Sequence, residues 1–196
     1  RIFSRNRIMN ELLTDQVYEG VDFVINPIIA DFEDCIFKSC LFAKADLSKL
    51  TFTNCTFENC DLSAVKLTQT ALQECEFIDC KMLGIAFEAC SDFLFQINCQ
   101  SCILNFSSFY KLDLTLSQFH QCQFKKTDFT EANLSTVFLS ECDLAGATFE
   151  STNLQKTDFS SALNYTLNPD KNKIAGAVFS KEGIAGLLSS YKIKIV

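Results

Sequence analysis

The chain has 196 residues and a net charge of −7, enough for one domain with a real core. An acidic chain without clustered Lys or Arg is a poor direct binder of nucleic acid. No run of eighteen apolar residues is present, so no membrane span is expected. The opening RIFSRNRIMN lacks the apolar stretch of a secretory signal. Phe is abundant at 20 residues while Trp is absent, and that much aromatic surface has to be buried.

Taken in chain order, residues 1–29 form an N-terminal cap and an irregular first coil. Ile8, Leu12 and Leu13 suggest a short helical face. Tyr18, Phe23 and Ile28 then show a faint five-residue beat, which skips one residue and locks in at Phe32. From Phe32 to Phe87 every fifth residue is Phe, Leu or Met. The same beat runs from Leu104 to Phe159. The residue two before each centre is small or apolar: Cys35, Cys40, Ala45, Leu50, Cys55 and Cys60 open the series. No charge falls on either position in either array.

Two inward residues in five fit neither a 3.6-residue helix nor a two-residue strand. They fit a coil that turns a corner every five residues, so four sides close after twenty. That accounts for columns such as Cys102, Cys122 and Cys142, or Phe109, Phe129 and Phe149. The expected fold is an all-β solenoid whose coils stack at about 4.8 Å. Residues 30–161 would give a rod about 30 Å long, with the Phe columns stacked ring on ring.

Phe87 and Leu104 are seventeen apart, so the register slips by two residues within 90–102. A bulge or short loop is expected there, with Asp92, Phe93 and Phe95 as candidate loop residues. It is read either as a projecting functional loop or as a tolerated insertion. Residues 162–196 form a C-terminal turn, helix and strand. Asn-Pro-Asp signals the turn. Ser180 is a candidate N-cap for a helix over Ser180–Tyr191, and Tyr191–Ile195 alternates like a strand.

No catalytic constellation is evident, and no enzyme activity or cofactor is expected. The eleven cysteines track the repeat and read as reduced core residues of a cytoplasmic protein. Cys99 and Cys102 form a lone CxxC with no further ligands for a metal. His120, the single histidine, is an outward position with no partner. Residues 30–161 carry eighteen acids against nine lysines. Asp46, Glu58, Asp61, Glu74, Glu76, Asp79, Asp113, Asp128, Glu131, Glu141 and Asp143 are the candidate partner-binding acids. The alternative is ordinary solubilising charge, since columns such as Asp61 over Lys81 are mixed. The apolar set Ile184, Leu187, Leu188, Tyr191, Ile193 and Ile195 either caps the last coil or binds its twin across a two-fold axis.

The segments Ala45-Asp46-Leu47, Cys60-Asp61-Leu62, Ala132-Asn133-Leu134 and Cys142-Asp143-Leu144 resemble the A(D/N)LXX consensus of the pentapeptide-repeat family. That resemblance implies a right-handed quadrilateral β-helix. The C-terminal segment from Asn168 is similar to that of the Qnr- and MfpA-type gyrase-interacting branch, which includes quinolone-resistance and toxin-immunity proteins. There it forms a short α-helix that joins two rods. The resemblance implies a non-enzymatic homodimer that binds gyrase or topoisomerase IV as a DNA mimic and modulates it or protects it from inhibitors. The alternative is a repeat scaffold for an unrelated protein partner.

Overall fold

The computed structural model describes residues 10–194. It is a parallel β-solenoid with four faces per coil. The first face is a four-stranded sheet of Glu11–Thr14, Ala30–Glu33, Thr51–Thr53 and Ala71–Gln73. The second face joins Val17–Glu19, Ile36–Lys38, Thr56–Glu58, Cys75–Ile78, Ile97–Gln100, Gln118–His120 and Leu139–Ser140 in one parallel ladder. The Phe138–Asp158 bridge carries it to Asp158–Phe159, which pairs with Val178–Phe179. The third and fourth faces are held by single bridges such as Leu41–Asp61 and Asp46–Lys66.

The period of five is visible as burial. The centres Phe37, Phe57, Phe87, Phe109 and Phe129 are fully buried, as are the residues two before them. The rings stack through successive coils: Phe57 lies 4.8 Å from both Phe37 and Phe77, and Phe109 lies 4.6 Å from Phe87 and 5.3 Å from Phe129. Neighbouring columns meet edge to face, as Phe37 and Phe42 do, so each ring uses both favourable aromatic geometries. No charged side chain is buried among the described residues.

The small inward residues have a second task. Each corner leaves a backbone carbonyl beneath the next coil. Thr70, Thr127, Thr152 and Thr157 donate their hydroxyls to the carbonyls of Leu47, Leu104, Phe129 and Leu134. The thiols of Cys55, Cys60, Cys75 and Cys80 aim at the carbonyls of Phe32, Phe37, Phe52 and Phe57 in the same way. A buried carbonyl without a partner is costly, which explains why the position accepts Cys, Ser and Thr as readily as Ala.

Most corners bend through a residue in the left-handed region, two after the centre: Asp34, Lys44, Asn54, Ala64 and Glu74 among them. Non-glycine residues resist this conformation. The stacked coils hold it in place, for most such residues donate their N–H to the coil above, as Asn54 does to Gln73.

Three expectations need correction. Leu12 and Leu13 lie in an extended strand paired with Asp31 and Phe32, not in a helix; Ile8 falls outside the described residues. The first coil pairs with an offset of nineteen, Val17 with Ile36 and Asp22 with Leu41, which is the single skipped residue before Phe32. Ser180–Tyr191 is not an α-helix but two 3-10 turns, Ile184–Leu187 and Ser189–Tyr191. Ser180 still caps the segment, accepting from the Gly183 N–H at 3.0 Å. The physical reason lies in Gly183 and Gly186. A Cβ on either would collide with Tyr165, and Leu167 donates its N–H to the Gly186 carbonyl at 3.2 Å, so the backbone is drawn onto the last coil. Residues 191–194 form no strand, with Lys192 turned left-handed.

A candidate protein-binding face

The slip is a two-residue insertion. Glu76 pairs with Asn98 and Lys81 with Ile103, an offset of twenty-two in place of twenty. The extra residues are accommodated at Ser91–Gln96. Phe93 stands outward at 68% exposure, whereas Phe95 is 4% exposed and packs edge to face on Phe87. Phe95 is therefore a core residue and not part of a loop; it fills the space that Leu72 and Leu114 fill in neighbouring coils. Asp92 and Leu94 remain on the surface. Four residues after Phe95, Cys99 occupies the column of Phe77 and Phe119.

Register sorts the surface charges by face, each corner being counted with the face before it. Between residues 10 and 163 the first face carries Glu11, Asp15, Asp31, Glu33, Asp34, Glu74, Asp92 and Asp113, and the second Glu19, Glu58, Glu76, Asp79, Glu141 and Asp158. Against these fourteen acids stand only Lys38 and Lys156. The third and fourth faces carry eight acids and seven lysines. Most of their acids are paired with a lysine of a neighbouring coil: Lys66 reaches Asp46 at 2.9 Å, Lys81 reaches Asp61 at 3.4 Å, Lys111 reaches Glu131 at 3.5 Å and Lys125 reaches Asp143 at 3.2 Å. On the acidic side the single such pair among the described residues is Lys38 with Glu58 at 3.2 Å.

The eleven candidate acids are thus divided. Glu58, Glu74, Glu76, Asp79, Asp113 and Glu141 lie on the two acidic faces, while Asp46, Asp61, Asp128, Glu131 and Asp143 lie on the balanced side. The hydrogen bond from Lys66 is the main reason that the Asp46 carboxyl is held down to about 2. For Asp61 and Asp143 partial burial pushes upward, but hydrogen bonds from Ser63 and from Asn164, with Lys81 and Lys125 beside them, bring the net shift down. Asp113 is lowered against the same burial by Thr115 and Asn133. Sequence columns reveal these one-coil pairings.

A shallow groove of about 570 Å³ runs along the acidic side, over the second face and its corner with the first. Glu76, Asn98, Gln118, His120, Leu116 and Phe138 line it. Leu116 and Phe138, both overlooked by sequence reasoning, are more than half exposed. His120 stands there without a catalytic partner. Burial pushes the Cys55 and Cys90 thiols up to about 12, so neither offers a thiolate nucleophile. Among the described residues no three His, Cys, Asp or Glu side chains are grouped to hold a metal. Among the described residues no helix is long and apolar enough to cross a membrane.

At the C-terminal end Ile184, Tyr191 and Ile193 are about half exposed, while Leu187 packs against the core. Leu188 is intermediate and Ile195 lies outside the described residues. Tyr191 donates to Asp170 at 2.7 Å.

The molecule is thus a parallel solenoid with an apolar interior and one strongly acidic side. The chain belongs to the pentapeptide-repeat family: the model for the pentapeptide repeat region matches residues 30–91, and that for pentapeptide repeats matches 94–135 and 127–163. The break between the two matches coincides with the slip. No curated protein matches the sequence. Among solved structures, trypsin-treated QnrB1, described as a plasmid-mediated fluoroquinolone resistance protein, is 18% identical with a TM-score of 0.61, covering 96% of this chain and 99% of that one. Full-length QnrB1 is 16% identical with a TM-score of 0.55, covering 93% of this chain and all of that one.

Proposed function

We propose that the protein is a non-enzymatic rod of the cytoplasm that binds a type II topoisomerase, gyrase or topoisomerase IV, and modulates it or protects it from quinolones or peptide toxins. The observation that carries the reading is the fourteen-to-two excess of acids over lysines on two adjoining faces. A narrow acidic side competes with DNA for a basic protein saddle. The shared fold with QnrB1, itself a fluoroquinolone resistance protein, supports the same reading. Two rods are joined through Ile184, Leu188, Tyr191 and Ile193 at the C-terminal end, where Ile184, Tyr191 and Ile193 lie open.

The test is supercoiling by purified gyrase, with and without a quinolone. Addition of the rod is expected to lower supercoiling or to restore it in the presence of the drug. No effect at micromolar protein overturns the topoisomerase reading and leaves an unrelated protein partner. Light scattering on the full chain and on a chain lacking Ser180–Val196 tests the pairing. The full chain is expected at twice the monomer mass and the shortened one at the monomer mass; a monomeric full chain ends the idea.

A further inference from the structure

We propose that the groove at the register slip is the anchor of the partner side, and that its occupant is an amphipathic, lysine- or arginine-flanked apolar segment of a protein. The proposal rests on the reading of the acidic faces as the side that meets a partner, and it adds where and by what chemistry the partner is held.

Three observations converge. The first is apolar exposure at one place. Leu116 and Phe138 line the groove at 57% and 64% exposure, and Phe93 and Leu94 stand out from the neighbouring slip coil. Elsewhere in the arrays the outward positions of these two faces are mainly polar or charged, so Leu116 and Phe138 in the groove, with Phe93 and Leu94 in the slip coil, are a departure from the repeat. The second is charge. Glu76 lies in the groove, Glu74 and Asp79 share its coil, Glu141 follows the last strand, and Asp158 is bridged to Phe138. No lysine falls on the second face between Lys38 and Ser161. This rim attracts a cationic partner and repels DNA, RNA and anionic lipid. The third is an unused acceptor: the side-chain oxygen of Asn98, buried in the groove wall, has no hydrogen-bond partner. A buried acceptor left unpaired is costly, and a donor from the occupant would satisfy it.

The dimensions suit a helix. The groove spans the four successive strands that end at Ile78, Gln100, His120 and Ser140, about 14 Å between the first and last at the spacing of paired strands. That is the length of about ten residues of α-helix. An apolar anchor surrounded by charge is also the arrangement in which a few residues dominate binding.

The experiment uses the full chain with two probes. One is purified gyrase; the other is a helical Lys/Leu peptide of about eighteen residues, long enough to hold a helix, with its Glu/Leu counterpart as control. Leu116→Ser with Phe138→Ser is expected to weaken binding of the Lys/Leu peptide by tenfold or more, and of gyrase equally, with the backbone NMR spectrum otherwise unchanged. Phe138→Leu should restore most of it. Phe106→Ser, an equally exposed aromatic on the balanced side, should change nothing. The Glu/Leu peptide should not bind, and added salt should weaken the Lys/Leu complex. If gyrase is inert while the Lys/Leu peptide binds through Phe138, the groove stands and the topoisomerase reading falls. If gyrase binds both forms alike, or if neither probe depends on Leu116 and Phe138, the groove proposal is overturned. Equal binding of the Glu/Leu peptide overturns it as well.

Discussion

The two sides of the rod are built from one repeat and have opposite surface chemistry. On the third and fourth faces a lysine stands one coil from most acids, and Asp46, Asp61, Glu131 and Asp143 are closed into ladders with Lys66, Lys81, Lys111 and Lys125. On the first and second faces Glu74, Glu76 and Asp79 form no ion pair among the described residues, and the repeat opens into a groove with Leu116 and Phe138 exposed in it. The interior does not distinguish them, since stacked phenylalanines and small corner donors serve all four faces. A solenoid therefore separates its two tasks by position. Two residues in five secure the coil, and the other three are free to make one side neutral and another strongly acidic.

The largest effect comes from removing what both sides share. Phe57→Ala empties a site between rings 4.8 Å away on either side and is expected to cost about 3–5 kcal/mol, read as a lowered urea midpoint. Because each coil leans on the next, acidic and balanced faces should lose protection together in hydrogen exchange. Loss confined to one side would refute a common core.

Next is the acidic side alone. Reversing Glu74, Glu76 and Asp79 to lysine should weaken gyrase binding at least tenfold while shifting stability by no more than about 0.5 kcal/mol. Reversing Asp46, Asp128 and Asp143 on the opposite side should leave binding unchanged, and should cost stability because two of them hold lysines at 2.9 and 3.2 Å. An equal loss of binding from both triples would mean that net charge, and not the side, governs association.

A smaller effect separates the sides by acid titration. Asp46, Asp61 and Asp143 all have carboxyls lowered in the folded chain. A lowered folded value means the stabilisation is complete above the unfolded carboxylate value near 4. It is lost as pH falls through the folded value, about 2 for Asp46. Urea midpoints should therefore drop between about pH 4 and 2, and less so in a variant with Asp46, Asp61 and Asp143 replaced by Asn. Exposure and screening keep each contribution modest. Identical pH profiles would show that the ladders add nothing.

The smallest concerns a corner. Thr136 is β-branched and sits at φ 65°, where such a side chain is strained. Thr136→Asn, with a residue that tolerates this region, should raise stability by about 0.5–1 kcal/mol in urea; a loss would locate the strain elsewhere.

Much of this was legible in the residues. Inward and outward positions, the twenty-residue columns, the ring stacks and the Asp61–Lys81 type of pair follow from a period of five, because a four-sided coil returns to the same face after four repeats. The two-residue slip was legible too, from the spacing of Phe87 and Leu104. Which phenylalanine of the slip turns inward was not. Phe93 and Phe95 are equivalent as letters, and only packing against Phe87 selects Phe95. The C-terminal turns escaped for a similar reason. An apolar spacing of three and four suits an α-helix and a 3-10 turn alike, and the choice was made by the close approach of Gly183 and Gly186 to Tyr165. The acidic side was hidden because each column, taken singly, looks mixed. Sequence alone determined the coil, since a periodic core is a local property repeated along the chain. Only the tertiary structure decided how the two extra residues are absorbed and how the C-terminal segment seats on the last coil, since both depend on which side chains pack against the neighbouring coil.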